Sequence, residues 1–424
     1  MSEPMPSRST IVWPRGIVVA GACLLAAFAM LVFAKRGMAP VSSPGLAVGT
    51  LPVKEPSKGG AGPADRARIE LGRKIFSDLG MSEPAGTSCA SCHDPSRAYA
   101  GNNGSTNGVA RGSRPGHFAK RNTPSALYLR AVKRFHFHWE EDMPLPDAFA
   151  GFFWDGRASS IAELTRQPLL NPDEMNNHDA AQIAAKVKVS PYADDFARAF
   201  GPSFDDADAV LANVGKAIEA FLSSDEMSPY TSKYDDVLRG RAHFTELETR
   251  GLALFKDREK GNCRSCHKFD DGVSDPSRSL FTDYGFEVVG IPRNRELPAT
   301  ADSEYADLGL CKSPTAPAPA KEERFCGAFR TPSLRNVAVR SRFMHNGAFA
   351  SLRDVVKFYA TRDADPKHWY PQAKFDDLPA QYRRYVNTNK VPYSTSAGDK
   401  PRLDDGDVDA ILAFLGTLTD AAYR

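Results

Sequence analysis

No run of basic residues and no block of like charge occurs in the 424-residue chain, where 54 Lys and Arg face 52 Asp and Glu for a formal net charge of +2. The electrostatic footprint of a nucleic-acid binder is therefore missing. Strand-like alternation of apolar and polar residues is also scarce, and helical periodicity dominates. Leu211, Val214, Ile218, Phe221 and Leu222 form one apolar stripe, and Leu352, Val355, Val356 and Tyr359 form another. Cysteine is sparse: seven residues, four of them in two short matching sequences.

Those sequences are Cys89-Ala-Ser-Cys92-His93 and Cys263-Arg-Ser-Cys266-His267, two copies of Cys-x-x-Cys-His. This is the attachment signature of c-type haem. Two thiols at that spacing reach the porphyrin vinyl groups, and the next residue places an imidazole under the iron. Zinc is the main rival for paired cysteines. A zinc ribbon closes with its pairs about 15–20 residues apart, whereas these pairs lie 174 residues apart. A thioredoxin-like pair would need neither the His nor a second copy. The expectation is two covalently bound haems c, attached at Cys89, Cys92, Cys263 and Cys266, with His93 and His267 as iron ligands.

The other three cysteines bear on location. Cys311 and Cys326 flank a Pro-rich loop and would close it if oxidised. Such a bond persists only in an oxidising compartment; the alternative is two unpaired thiols on a surface loop. Cys23 lies in an uncharged apolar run, residues 17–34, at the lower limit for a spanning helix and longer than a usual signal core. An uncleaved anchor within residues 1–36 is favoured over a removed signal, placing the rest in the periplasm. Residues 37–65, rich in Pro, Gly and Ser, read as a flexible linker.

Beyond the linker the chain repeats itself. Cys89-x-x-Cys-His93, Thr123-Pro-Ser125 and Gly156-Arg-Ala-Ser-Ser-Ile161 are answered by Cys263-x-x-Cys-His267, Thr331-Pro-Ser333 and Gly347-Ala-Phe-Ala-Ser-Leu352. The fold expected is mainly α: two tandem cytochrome-c-like haem domains, residues 66–238 and 239–424, behind an N-terminal transmembrane or signal segment.

The ordered set of Cys-x-x-Cys-His93, Arg121-Asn-Thr-Pro124, Phe153-Trp-Asp-Gly-Arg157, Glu174-Met175, Cys-x-x-Cys-His267, Phe329-Arg-Thr-Pro-Ser-Leu-Arg-Asn336 and Met344-His-Asn-Gly347 resembles the bacterial dihaem cytochrome c peroxidases. That family includes the MauG-type enzymes, which mature tryptophan-derived quinone cofactors. The resemblance spans roughly residues 66–420. It implies that the first haem reacts with peroxide and that electrons arrive at the second. It makes Glu174, twenty residues beyond Trp154, the distal acid–base carboxylate, and Trp154 the relay between the haems. A carboxylate at an open iron face can take and return a proton, an effect of about 10²–10⁴-fold.

The chain departs from the family at four places. Leu164 stands where many members have Gln. Counting back from Asn122 for a removable sixth ligand on the first haem gives Arg114, and His117, the nearest imidazole, reads as a surface or propionate contact. A calcium ion between the modules is not expected, because Arg340 and Arg342 occupy its Thr-x-Pro positions. Fourteen residues after His345, where the peroxidases proper have a Met ligand, the chain has Tyr359, as the MauG-type enzymes do. Tyr359 is thus the expected sixth ligand of the second haem, with Met344 as the fallback. Tyrosinate favours oxidised iron.

The function expected is a periplasmic peroxidase reducing hydrogen peroxide to water through a high-valent two-haem state, fed by a small donor such as a cytochrome c or cupredoxin. The alternatives are a MauG-like protein-modifying enzyme and a plain electron-transfer cytochrome. Against the first of these, Gly261 replaces the surface Trp six residues before the second proximal His.

Overall fold

Cap residues and apolar stripes together set the helices. The computed structural model describes residues 62–139, 141, 145–269 and 278–424. The run 17–34 and most of the linker 37–65 lie outside those residues, and no described helix is long and apolar enough to cross a membrane. In the first half the helices are α1 (Pro63–Ser77), α2 (Cys89–Cys92), α3 (Ile161–Leu170), α4 (Ala180–Lys188), α5 (Ala193–Phe200) and α6 (Ala207–Leu222). The second half has α7 (Lys233–Leu238), α8 (Glu246–Lys256), α9 (Leu352–Thr361), α10 (Pro366–Trp369) and α11 (Asp405–Gly416). Among the described residues, strands are limited to the hairpin β1 (His136–His138) with β2 (Asp147–Phe149) and the short pair β3 (Phe286–Glu287) with β4 (Phe329–Arg330). The protein is mainly helical, as expected.

Side chains cap the orphan amides of the main helices. Asp206 accepts from Ala209 N at the start of α6, and Ser160 from Glu163 N at the start of α3. Reciprocal capping boxes open α8 (Thr245 with Glu248) and α11 (Asp404 with Asp407). The α6 stripe foreseen from Leu211 to Leu222 is buried throughout.

The repeat is visible in three dimensions. Helix α1 packs on α6, and α8 packs on α11. Each pair crosses at a glycine with no room for a side chain: a Cβ on Gly72 would lie 2.0 Å from Ala217 O, and one on Gly251 would lie 1.9 Å from Ala410 O. Backbones approach this closely only where a Cβ is missing. Ser125 Oγ donates to Ala98 O (2.7 Å), and Ser333 Oγ to Leu280 O (2.6 Å). The turns Phe153–Gly156 and Met344–Gly347 begin and end at the same positive φ values, 64° and 69° in one, 67° and 68° in the other.

The two cores exchange side chains across the sequence. Phe135, Phe137 and Ala148, from the β1–β2 hairpin and its approach, pack with the second core, as does Tyr234 of α7. Leu280, Val339 and Tyr423 pack against the first. Cys311 and Cys326 are joined by a disulfide, the outcome favoured from the sequence.

Candidate active site

The two Cys-x-x-Cys-His segments fold as turns that fix each imidazole from behind. His93 N donates to Cys89 O (2.8 Å) and His267 N to Cys263 O (2.9 Å). His93 Nδ1 donates to Tyr99 O (3.2 Å) and His267 Nδ1 to Phe281 O (2.9 Å). Such a bond selects the tautomer and leaves Nε2 as the ligating atom. Burial lowers the proton affinity of both rings, that of His267 to about 4, which favours the neutral form whose nitrogen lone pair a metal can take.

None of the four cysteines is bonded to another. Burial raises Cys89, Cys92 and Cys263 to about 12 and Cys266 to about 11. Thiols held protonated in this way are poor redox nucleophiles, which disfavours the thioredoxin-like alternative. Among the described residues no group of three or more His, Cys, Asp or Glu converges on a metal-binding cluster, as a zinc ribbon would require.

A cavity of about 250 Å³ opens beside the second turn, lined by Cys263, Cys266, His267 and, from α9, Tyr359. The Tyr359 phenol is raised by burial and then by the nearby Cys266 and Cys263 sulfurs, with which it lines the cavity. Its ring stacks on Tyr393, with centroids 5.7 Å apart and planes at 29°. Met344 borders this cavity too. Both candidate sixth ligands thus line one cavity with His267.

Glu174 sits on a turn clamped from several sides. Helix α3 ends at Leu170, and its cap Asn171 accepts from Glu174 N (3.0 Å) and Asn176 N (2.9 Å). Asn171 Nδ2 donates to Glu174 Oε1 (2.9 Å), Ser113 N donates to Glu174 O (2.7 Å), and Met175 is buried in the first core. The carboxyl is near enough to Cys92 to raise that thiol. Its own pKa is raised by burial, against the pull of Arg157 and the Asn171 bond, with Asp173 adding to the rise. Leu164 packs half-buried on the first core. His117 is engaged elsewhere: its Nδ1 lies 3.0 Å from Asp173 Oδ1 and 3.2 Å from Arg114 Nη2.

Trp154 joins the halves. Its Nε1 donates to Asn122 O (2.8 Å), and its carbonyl accepts from Arg330 N (2.8 Å), at the edge of the cavity. Across the same seam Asn122 Nδ2 donates to Arg342 O and Met344 O (both 3.1 Å), while Arg121 bridges Asp155 (2.7 Å) and Asp307 (2.6 Å). Arg340 Nη2 donates to Thr123 O (2.9 Å), and the Arg342 guanidinium donates to Thr106 O. Sequence reasoning missed Asn171, whose Asn-Pro-Asp-Glu turn was a signal, and Tyr393, which lies 34 residues from Tyr359 with no motif to mark it.

Two imidazoles, each beside a pair of cysteines, in repeat-related turns joined by one tryptophan define a two-centre c-type redox protein. Residues 66–243 match the family model described as di-haem cytochrome c peroxidase. The chain is 36% identical to the methylamine utilization protein MauG of Paracoccus denitrificans over 373 residues, 86% of this chain and 91% of that protein. It is 27% identical to the cytochrome c551 peroxidase of Pseudomonas aeruginosa over 302 residues, 69% of this chain and 72% of the other. Among solved structures, the diheme peroxidase BthA of Burkholderia thailandensis superposes with a TM-score of 0.79 at 47% identity, covering 84% of this chain and 86% of that one. The chain belongs to the di-haem cytochrome c peroxidase and MauG family. It is an oxidoreductase of peroxidase or MauG-like function with two covalently bound c-type haems.

Proposed function

We propose that this protein reduces hydrogen peroxide to two waters, consuming two protons and two electrons from a small redox protein. The Cys89–His93 module is the peroxide site, and electrons arrive at the Cys263–His267 module. The observation that carries this reading is Glu174: a clamped, desolvated carboxyl beside Cys92, bonded by Asn171. When bound, the haems supply the iron that activates peroxide and a second redox centre.

The side chains do the rest. The Glu174 carboxylate accepts a proton from the near peroxide oxygen and returns it to the departing one, so that water leaves. A raised pKa brings the group closer to working pH, where both halves of that transfer are efficient. Asn171 keeps the carboxyl aimed while the proton moves. Trp154, bonded to both halves, carries an oxidising equivalent between modules. Tyr359 would hold the second iron as its sixth ligand, and its phenolate would favour the oxidised form. The Cys311–Cys326 disulfide fits an oxidising compartment, hence the periplasm. An anchor at 17–34 would tether the protein to the inner membrane.

MauG-like oxidation of a protein substrate is the second reading, favoured by Tyr359 and the 36% identity to MauG. It would need an exit other than position 261, where a Cβ would lie 2.6 Å from Leu254 O. Turnover with a reduced cytochrome, set against turnover with a protein substrate, separates the two.

Glu174→Gln tests the leading reading. Both haem spectra and the fold should persist while peroxide turnover falls by about 10²-fold or more. Because the carboxylate must be unprotonated to accept, the wild-type rate should fall as pH drops through its raised pKa. That acid limb should vanish in the variant. Near-normal turnover would remove Glu174 from the mechanism.

A further inference from the structure

An electron from a partner protein has to cross the wall of the second core to reach the cavity lined by Cys263, Cys266, His267 and Tyr359. Aromatic rings make a continuous crossing. The Tyr359 ring meets that of Phe358 with centroids 5.9 Å apart and planes at 72°. Phe358, 0% exposed, meets the Trp369 indole at 5.4 Å and 89°. Phe349 braces the same indole from another side, at 5.7 Å and 71°. Edge-to-face contacts of this kind fix rings relative to one another. Trp369 Nε1 also donates to Thr361 Oγ1 (2.9 Å), which ties the indole to the end of α9.

The far end of the row is at the surface. Trp369 closes the short helix α10, is half-buried and lies outside the cavity lining. Its neighbours Lys367 and His368 are exposed, and the His368 ring stands edge-on to the indole at 4.5 Å. Indole and phenol give up an electron far more readily than benzene. Tyr359 and Trp369 are therefore the stopping points, with Phe358 the medium between them. Tyr393 also stacks on Tyr359 but leads nowhere: it is 8% exposed, and the Arg362 guanidinium covers its ring at 3.9 Å.

We infer that Trp369 is the contact through which the second centre draws electrons from the small redox protein, by way of Phe358 and Tyr359. The inference rests on the peroxidase reading above. Two electrons pass singly along the row and, with two protons, complete the reduction of peroxide to two waters. Without a partner the same two electrons come from the indole itself, which gains an oxygen atom from water and releases two protons.

Peptide mass spectrometry of the holoprotein after a few equivalents of peroxide, with no donor present, tests this. Trp139 is the internal control, because it is 63% exposed and has none of these ring contacts. Oxygen should enter Trp369 ahead of the more exposed Trp139. Oxidation that follows exposure, with Trp139 modified first or equally, would overturn the proposal, as would an unmodified Trp369. Kinetics give a second measure. Trp369→Phe, which keeps the packing but not the oxidisable ring, should slow the return of the peroxide-treated protein to its resting spectrum several-fold. Trp369→Tyr should restore most of the rate. Equal rates in wild type and Trp369→Phe would overturn the proposal. Haem spectra of the wild type that ignore peroxide would instead count against the peroxidase reading, and the inference would fall with it.

Discussion

Burial raises the proton affinity of both Glu174 and Tyr359, with opposite consequences. For the carboxyl the shift is toward working pH and serves proton transfer. For the phenol it is away, so only a metal can hold the residue as phenolate. If Tyr359 is the ligand, Tyr359→Met should raise the midpoint potential of the second haem and confine the response to peroxide to the first module, as seen by redox titration and stopped-flow spectra. A second-haem spectrum unchanged by the substitution would reduce Tyr359 to a packing residue. Both positions are proposed from motif spacing, twenty residues from Trp154 and fourteen from His345. Asn171 and Tyr393 were not, because their roles arise from contacts that only the folded turn and the α9 packing create.

At the scale of elements, the stripes of α6 and α9 announced helices, and scarce alternation correctly predicted little sheet. The helix crossings were hidden. Glycine inside a helical pattern ordinarily reads as a weakness, yet Gly72 and Gly251 are what let α1 meet α6 and α8 meet α11. Two substitutions in the second pair should move stability in opposite directions. Gly251→Ala forces a methyl into Ala410 O and should cost about 3 kcal/mol or more. Gly416→Ala, at the end of α11 with nothing within 4 Å of the added carbon, should gain about 0.5–1 kcal/mol through helix propensity. Denaturant midpoints of the two holoproteins check both signs, and a tolerated Gly251→Ala would mean that the pair packs less tightly than this.

At the scale of the whole molecule, the seam between the repeats holds contacts that the sequence does not show. The repeat suggested two domains in tandem, but a repeat does not say how far its halves intrude on one another. The β1–β2 hairpin lies in the first half by sequence and packs with the second core. Arg335, 0% exposed, holds the equally buried Asp235 at 2.7 Å, and Asn336 Nδ2 donates to Asp420 Oδ2, which also accepts from Tyr128 of the first half. Arg335→Met leaves Asp235 charged and unpaired and should cost about 3–5 kcal/mol; adding Asp235→Leu should recover much of it. Thermal unfolding of the single and double variants decides this, and an Arg335→Met variant as stable as wild type would show the pair to be dispensable.

The central claim is an open peroxide site in the first module sharing its oxidising equivalents with a Tyr359-ligated centre in the second. Low-temperature EPR of the as-isolated diferric protein, before and after one equivalent of peroxide, tests it most directly. The account predicts one high-spin signal from the His93 haem and one low-spin signal from the His267 haem, with both diminished by peroxide. Two low-spin signals, or a peroxide response confined to one signal, would contradict it.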